Sequence, residues 1–323
     1  MRRIVVLRAL GLGDFLTAVP ALRALRRWHP RHRITLCTPA GLAPLADLCG
    51  AVDEVSDTGP LEPLDPTLGG AALAINLHGR GPESHRMLDG IWPDEMIAFA
   101  HPDIPWSAGG PPWREREHEV LRWCRLLESS GVATDPGDLH LRLPDVRRDG
   151  RVTVIHPGAA SRSRRWPPER FAAVARDESA RGNRVVVTGG PRERELARRV
   201  AGLAGLPGSA VAAGRTGVLE LARLVASAGR LICGDTGVAH LATALQTPAV
   251  LLFGPVSPEL WGPLDTGRHR VLWAGQLGDP HGETPDSGLL RIQVEDVLDA
   301  LGTLPAPRSF IPQASGARTG HGV

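Results

Sequence analysis

Short apolar runs bounded by Gly and Pro alternate along this chain with longer stretches whose apolar positions recur at helical spacing. Residues 4–7, Ile-Val-Val-Leu, read as a buried parallel strand. Phe15, Ala18, Val19, Leu22 and Leu25 then predict a helix ending near residues 28–30, with regular hydrogen bonding from about Thr17 so that Pro20 falls in the first turn. Strands follow at 33–38, 52–55 and 71–77, with a short helix at 42–48. Residues 100–116, rich in Pro, Gly and Trp, read as a loop or lid, and 118–129 as an amphipathic helix with Val120, Leu121, Cys124 and Leu127 inward and Trp123 in the core. The stretch 131–150 has no strong helical pattern and carries several Pro, Asp and Arg residues, which predicts a domain boundary. A second series begins after it: strands at 151–156, 184–188 and 248–253, and helices from 168 (Phe171, Val174 and Ala175 inward), at 218–226 and at 294–301. The alternation predicts two α/β domains, residues 1–149 and 150–304, and a disordered tail at 305–323.

The most informative stretch is I-C-G-D-T-G-V-A-H-L-A-T-A-L at 232–245, a strand that turns sharply into a helix. Val238, Leu241, Ala242 and Leu245 repeat at helical spacing and suit packing on a sheet, while Thr236 and His240, four apart, share another face. Asp235 or Thr236 supplies the N-cap, and Gly237 lets a ligand approach the backbone. Free amides and the positive end of the helix dipole favour a phosphate there, and His240 adds a donor or a cation one turn in. Capping alone also accounts for Asp and Thr before a helix.

Other polar residues sit in loops after predicted strands, where open α/β sheets bind ligands. Gly13 and Asp14 follow the first strand, His78 and Arg80 lie in a Gly-rich loop after 71–77, and Ser161, Arg162, Arg164 and Arg165 crowd the loop after 151–156. Arginines there suit a bidentate grip on a diphosphate; a solvated charge cluster is the plainer reading. Glu193 stands in the first turn of the helix after 184–188, where it favours the dipole or accepts ribose hydroxyls. G-L-G-D-F-L lacks the third glycine of a dinucleotide fingerprint, which argues against an NAD site.

Composition narrows the picture. Hydrophobic residues make up 42% and charged residues 22% of 323, as in a soluble globular protein, and 37 basic residues nearly balance 35 acidic ones, so bulk charge gives no reason to expect nucleic acid. All the basic side chains are arginine, so a phosphate site draws on Arg, His or backbone N–H. Cys37, Cys49, Cys124 and Cys233 show neither zinc nor disulfide-framework spacing. The apolar run near the start is too short for a signal peptide and none approaches a membrane span, so the expectation is a cytoplasmic protein whose contact with a membrane, if any, is from one side.

In this order, G-L-G-D-F-L-T-A-V-P-A-L-R-A-L at 11–25, H-P-G-A at 156–159, R-R-W-P at 164–167, T-G-G-P-R-E at 188–193, D-T-G-V-A-H at 235–240 and F-G-P at 253–255 resemble glycosyltransferase family 9, the heptosyltransferase-like enzymes. The resemblance covers the chain from residue 3 to about residue 304. It implies the GT-B architecture, two Rossmann-like doubly wound parallel-sheet domains facing across a cleft, and an inverting, metal-independent transfer. The donor it implies is an ADP-linked sugar, heptose in the family, with no cofactor besides that nucleotide sugar; the acceptor is a saccharide, a glycolipid or a natural-product scaffold. Asp14 matches the family's proposed general base. Arg164 takes the place of its phosphate-binding Lys, and Thr236, Gly237 and His240 that of its diphosphate cradle. Asp235 would touch donor sugar hydroxyls and Glu193 the ribose, with Ser161 and Thr216 completing the donor set, and Gly13, His78 and Arg80 facing the acceptor. The chain departs from the family with Arg at 164, and with Ala159, Ala160 and Ser161 where threonines stand near the phosphate. A nucleotide-sugar epimerase and a non-catalytic nucleotide-binding protein are the rival readings on the same architecture.

Overall fold

The computed structural model describes residues 2–306, so the tail expected at 305–323 lies almost wholly outside the described residues. Five strands of the first half, β1 (Arg3–Leu7), β2 (Arg33–Thr38), β3 (Glu54–Asp57), β4 (Leu73–Asn76) and β5 (Met96–Ile97), form one sheet in the order β3-β2-β1-β4-β5. Five of the second half, β6 (Asp149–His156), β7 (Arg184–Val187), β8 (Ala228–Gly234), β9 (Ala249–Phe253) and β10 (His269–Trp273), form another in the order β10-β9-β8-β6-β7. Every pairing is parallel. Parallel strands covered on both faces need apolar side chains throughout, which is why Ile4, Val5, Val6 and Leu7 are all fully buried.

Strand order locates the binding edge. Each sheet reverses direction of growth at one point, between β1 and β4 in the first and between β6 and β8 in the second. Ligands bind outside the carboxyl ends of the strands at such switch points. Leu7 pairs with Asn76 and His156 with Cys233, so the loops leaving the two strands of each pair start level with one another.

The helices are α1 (Leu12–Trp28), α2 (Ala43–Cys49), α3 (Glu83–Asp89), α4 (Glu119–Glu128), α5 (Pro168–Ala180), α6 (Arg194–Leu203), α7 (Val218–Ser227), α8 (Gly237–Ala244), α9 (Pro258–Trp261), α10 (Ser287–Arg291) and α11 (Val294–Gly302). Phe15, Leu22 and Leu25 of α1 are fully buried, each contributing about 1.5–3 kcal/mol by removal from water. Val238, Leu241 and Ala242 of α8, and Leu245 that caps its end, turn inward as their spacing predicts.

The structure corrects several sequence expectations. Helix α1 begins at Leu12, because extended Gly11 caps it and the Asp14 carboxylate accepts the Gly11 main-chain N–H at 3.1 Å. Gly13 and Asp14 are therefore first-turn residues, and Pro20 lies inside the helix, where its missing N–H leaves the Leu16 carbonyl without its usual donor. In α4 the face is turned: Leu121 is 40% exposed, whereas Arg122 is buried with its guanidinium 3.8 Å from the centre of the Trp113 ring. That stacking lets an arginine occupy an apolar face. Residues 100–116 form a largely exposed loop as expected, anchored where Trp113 meets Phe99 edge-on at 5.1 Å and containing a short 3-10 turn at Pro105–Gly109. Strands β5 and β10 and helices α3, α9 and α10 are additional to the sequence reading.

Candidate active site

On the first sheet the site starts with Arg8, directly after β1. Its guanidinium is 1% exposed and lies 4.5 Å from the centre of the Trp123 ring. Arg8 Nε donates to the Asp14 carbonyl at 2.9 Å, Nη1 to the Leu77 carbonyl, and Nη2 to Thr17 Oγ1 at 3.1 Å and Glu119 Oε1 at 3.0 Å. Nη2 also stands 3.6 Å from Asp14 Oδ1. The Asp14 side chain stays 29% exposed, so a hydroxyl from solvent or substrate can reach it.

His78 lies in the loop after β4, its main-chain N–H held by Asn76 Oδ1 at 2.9 Å. Burial, reinforced by the Arg8 charge and opposed by Asp14, pushes its imidazole down to about 4. His78 is neutral at pH 7, and its buried Nδ1 has no protein partner among the described residues. Arg80 is exposed and pairs with exposed Glu115 at 3.2 Å.

On the second sheet Arg164 Nη1 faces Asp235 Oδ2 at 3.6 Å. Asp235 is buried, which raises its carboxyl pKa, and Arg164 opposes the rise. Arg164 is 22% exposed, and its Nε has no protein partner among the described residues. Gly234 makes this approach possible, since a side-chain carbon there would sit 2.9 Å from the Arg164 carbonyl oxygen. Thr236 is the N-cap of α8 in an extended conformation, with no capping bond from its side chain, which leaves the hydroxyl for other partners. Burial, with His118 and Arg8 adding and Glu119 opposing, pushes His240 down to about 4. Of the two roles open to His240 from sequence, N–H donor and cation, the lowered pKa favours the neutral donor, its ring packed edge-on against Trp261 at 5.9 Å.

Glu193 reaches back so that Oε2 accepts the Gly190 N–H at 2.8 Å and lies 3.8 Å from His156 Nε2. His156 also contacts Thr188 Oγ1 at 3.0 Å, and burial lowers its pKa against the pull of Glu193. Ser161 Oγ bonds the Gly282 carbonyl at 2.9 Å and Ser163 at 3.0 Å, so this hydroxyl is already engaged in joining two loops. Thr216 is half-buried in the turn before α7. Among the described residues no cluster of three or more His, Cys, Asp or Glu is placed to hold a metal ion, and no helix is long and apolar enough to cross a membrane.

The two halves meet at glycines. A side-chain carbon on Gly13 would lie 2.9 Å from His240 Cδ2 and 3.3 Å from the Gly237 Cα. The N-termini of α1 and α8 thus abut, Asp14 following Gly13 on one helix and Asp235 preceding the other. His118 adds a second tie: its Nδ1 accepts the Val120 N–H at 3.2 Å, so its Nε2 carries the proton donated to the Gly262 carbonyl at 2.8 Å. Sequence reasoning missed Arg8, His118, Glu119 and His156. The available signals were an arginine closing an apolar strand and a Glu on the inward face of an amphipathic helix.

Two parallel five-stranded sheets apposed through the helix ends at their switch points form the GT-B architecture. The chain belongs to glycosyltransferase family 9 (heptosyltransferase), whose match spans residues 115–282, just over half its length. Lipopolysaccharide heptosyltransferase 2 of Escherichia coli K12 is 29% identical over 358 residues, covering 94% of this chain and 98% of that one. Lipopolysaccharide heptosyltransferase 1 of Pseudomonas aeruginosa is 37% identical over 162 residues, 48% of this chain and 44% of that one. Among solved structures, a family 9 glycosyl transferase from Veillonella parvula shares the fold with a TM-score of 0.77 at 24% identity, over 94% of this chain and 96% of that one. The E. coli ADP-heptose lipopolysaccharide heptosyltransferase II does so with a TM-score of 0.74 at 21% identity, over 93% and 97%.

Proposed function

We propose that this glycosyltransferase moves a heptose from an ADP-linked donor to a hydroxyl of a saccharide or glycolipid acceptor, with inversion, in the cytoplasm. Residues 1–149 bind the acceptor and residues 150–304 the nucleotide sugar. The observation that carries this reading is the abutment of α1 and α8 at Gly13 and Gly237, with Asp14 next in the chain after Gly13 and Asp235, 3.6 Å from Arg164, just before the first turn of α8. Relatives named as lipopolysaccharide heptosyltransferases supply the sugar and the acceptor class.

The chemistry follows from charge. The Asp14 carboxylate takes the proton of the acceptor hydroxyl as its oxygen bonds to the anomeric carbon, and the bond from that carbon to the diphosphate oxygen breaks with its electron pair leaving on ADP. Negative charge grows on the departing diphosphate, so a preset cation and amides stabilise the transition state more than the ground state. Arg164 supplies the cation and the first turn of α8 the amides. Neutral His240 donates a hydrogen bond without adding charge. Asp235 faces donor sugar hydroxyls, Glu193 the ribose, and Thr236, Ser161 and Thr216 line the donor side. Gly13, His78 and Arg80 line the acceptor side.

Thermal-shift titration with ADP, UDP, GDP and TDP tests the nucleotide, because a ligand selective for the folded state raises the melting temperature. ADP alone is expected to give a large shift. ADP release from ADP-heptose is expected only when lipopolysaccharide lacking its heptoses is supplied; release without acceptor, or none with it, would reject transfer to that acceptor class.

A further inference from the structure

The ion pair of Arg8 and Glu119 lies behind the reacting groups, and nothing in the proton transfer or the leaving-group chemistry uses it directly. Both side chains are buried, at 1% and 10% exposure. A buried ion pair is a poor source of net stability, because desolvation offsets most of its attraction. Its geometry is nevertheless fully committed. Glu119 Oε1 accepts from both Arg8 Nη2 and the Trp123 indole N–H, each at 3.0 Å, while Arg122 Nε stands 3.1 Å from Oε2. Arg8 in turn holds the Asp14 carbonyl through Nε and stands beside the Asp14 carboxylate through Nη2.

We propose that Arg8 and Glu119 are positioning residues for Asp14: Glu119 fixes the guanidinium fork, and the fork fixes the first turn of α1 and the direction of the carboxylate. This rests on the reading of Asp14 as the base. Four contacts locate that carboxylate and its main chain, namely Gly11 N–H on Oδ2, Arg8 Nη2 near Oδ1, and Arg8 Nε and the Thr17 hydroxyl on the carbonyl. Removing Arg8 deletes two of them and breaks no hydrogen bond or ion pair to a donor-side residue, its charge reaching His240 only through space. The loss therefore falls on kcat and not on nucleotide binding.

The test compares Arg8→Met, Arg8→Lys, Glu119→Gln and the double variant Arg8→Met/Glu119→Gln, reading ADP release from ADP-heptose with heptose-free lipopolysaccharide and ADP affinity by calorimetry. Arg8→Met is expected to lower kcat about 100-fold, the scale of a misplaced reacting group, with ADP Kd within about twofold. Arg8→Lys should recover about tenfold of that loss, since it restores a donor and a charge but not the fork. The double variant should be no worse than Arg8→Met, because the two residues act as a unit. A kcat within about threefold of wild type in Arg8→Met, or a loss carried by ADP Kd, overturns the proposal. If Arg8→Met does not fold, Glu119→Gln decides: a fall of about tenfold in kcat at unchanged ADP Kd supports positioning, and unchanged kcat overturns it. If the wild type turns over no ADP-heptose, the donor reading fails separately. Positioning is then judged from crystal structures of Glu119→Gln and Arg8→Met, where Asp14 leaving the Gly11 N–H supports it and an unmoved Asp14 overturns it.

Discussion

Gly13 and Gly237 touch across the two halves of the protein so closely that a side-chain carbon built on Gly237 lies 2.9 Å from the Gly13 main-chain nitrogen. The contact matters because it turns the positive ends of α1 and α8 toward one shared region. Alanine at either position carries an intrinsic helix preference of up to about 1 kcal/mol over glycine, less near a helix end. Were the contact unimportant, Gly13→Ala and Gly237→Ala would be neutral or stabilising. We expect the opposite sign: both variants melt at lower temperature and lose about 10- to 100-fold in kcat/KM as the helix ends separate. Calorimetric melts and the ADP-release assay read both quantities.

Gly158 and Glu193 form a second close pair, since a side-chain carbon at 158 would fall 2.0 Å from Glu193 Oε1. Gly158→Ala must therefore move the carboxylate, breaking its bond to the Gly190 N–H. If Glu193 holds the ribose, ADP binds about tenfold more weakly, or about 1.4 kcal/mol, in isothermal titration. Unaltered affinity with a displaced Glu193 in the crystal would remove this residue from the donor set.

Asp14→Asn separates two jobs of one side chain. The amide oxygen still accepts the Gly11 N–H, so α1 keeps its cap and the melting temperature should hold. Proton abstraction is lost, and kcat falls by about 10²- to 10⁴-fold with ADP affinity unchanged. A variant that binds ADP normally and turns over at the wild-type rate would show that Asp14 is not the base.

The parts of this molecule legible in its sequence are those written locally. Buried parallel strands are unbroken apolar runs, so 4–7 and 248–253 declare themselves, and a strand, a D-T-G turn and a helical apolar stripe lie within 232–245. Pairings between distant residues were not legible. Arg8 and Glu119 stand 111 positions apart, and no spacing announces that an arginine ending a strand will find a glutamate on α4. Ser161 is likewise tied to Gly282, 121 residues on. Pro20 argues for a late start of α1, whereas the back-bonding of Asp14 to Gly11, a local side-chain geometry that apolar spacing does not show, sets the start at Leu12. In α4 hydropathy placed Leu121 inward, where the stacking of Arg122 on Trp113 decided the face.

Acid stability follows from the buried imidazoles, and His269 isolates the effect because it opens β10 at the edge away from the strands' carboxyl ends. It is 3% exposed, and burial pushes its pKa from 6.5 down to about 4, with Arg268 adding and Asp265 opposing. The folded ring therefore resists a proton that the unfolded chain accepts freely once pH falls below 6.5. Stability rises with pH wherever the unfolded state binds more protons, so this contribution is complete above 6.5 and erodes as pH falls toward about 4. Its steepest slope is about 1.4 kcal/mol per pH unit. His78 and His240 are shifted the same way and steepen the same window. Urea unfolding at intervals from about pH 7.5 to about pH 5 should show falling stability in the wild type and a shallower fall in His269→Gln, which has no proton to gain. Parallel curves for the two proteins would mean that the folded His269 ring takes up its proton as readily as the unfolded one.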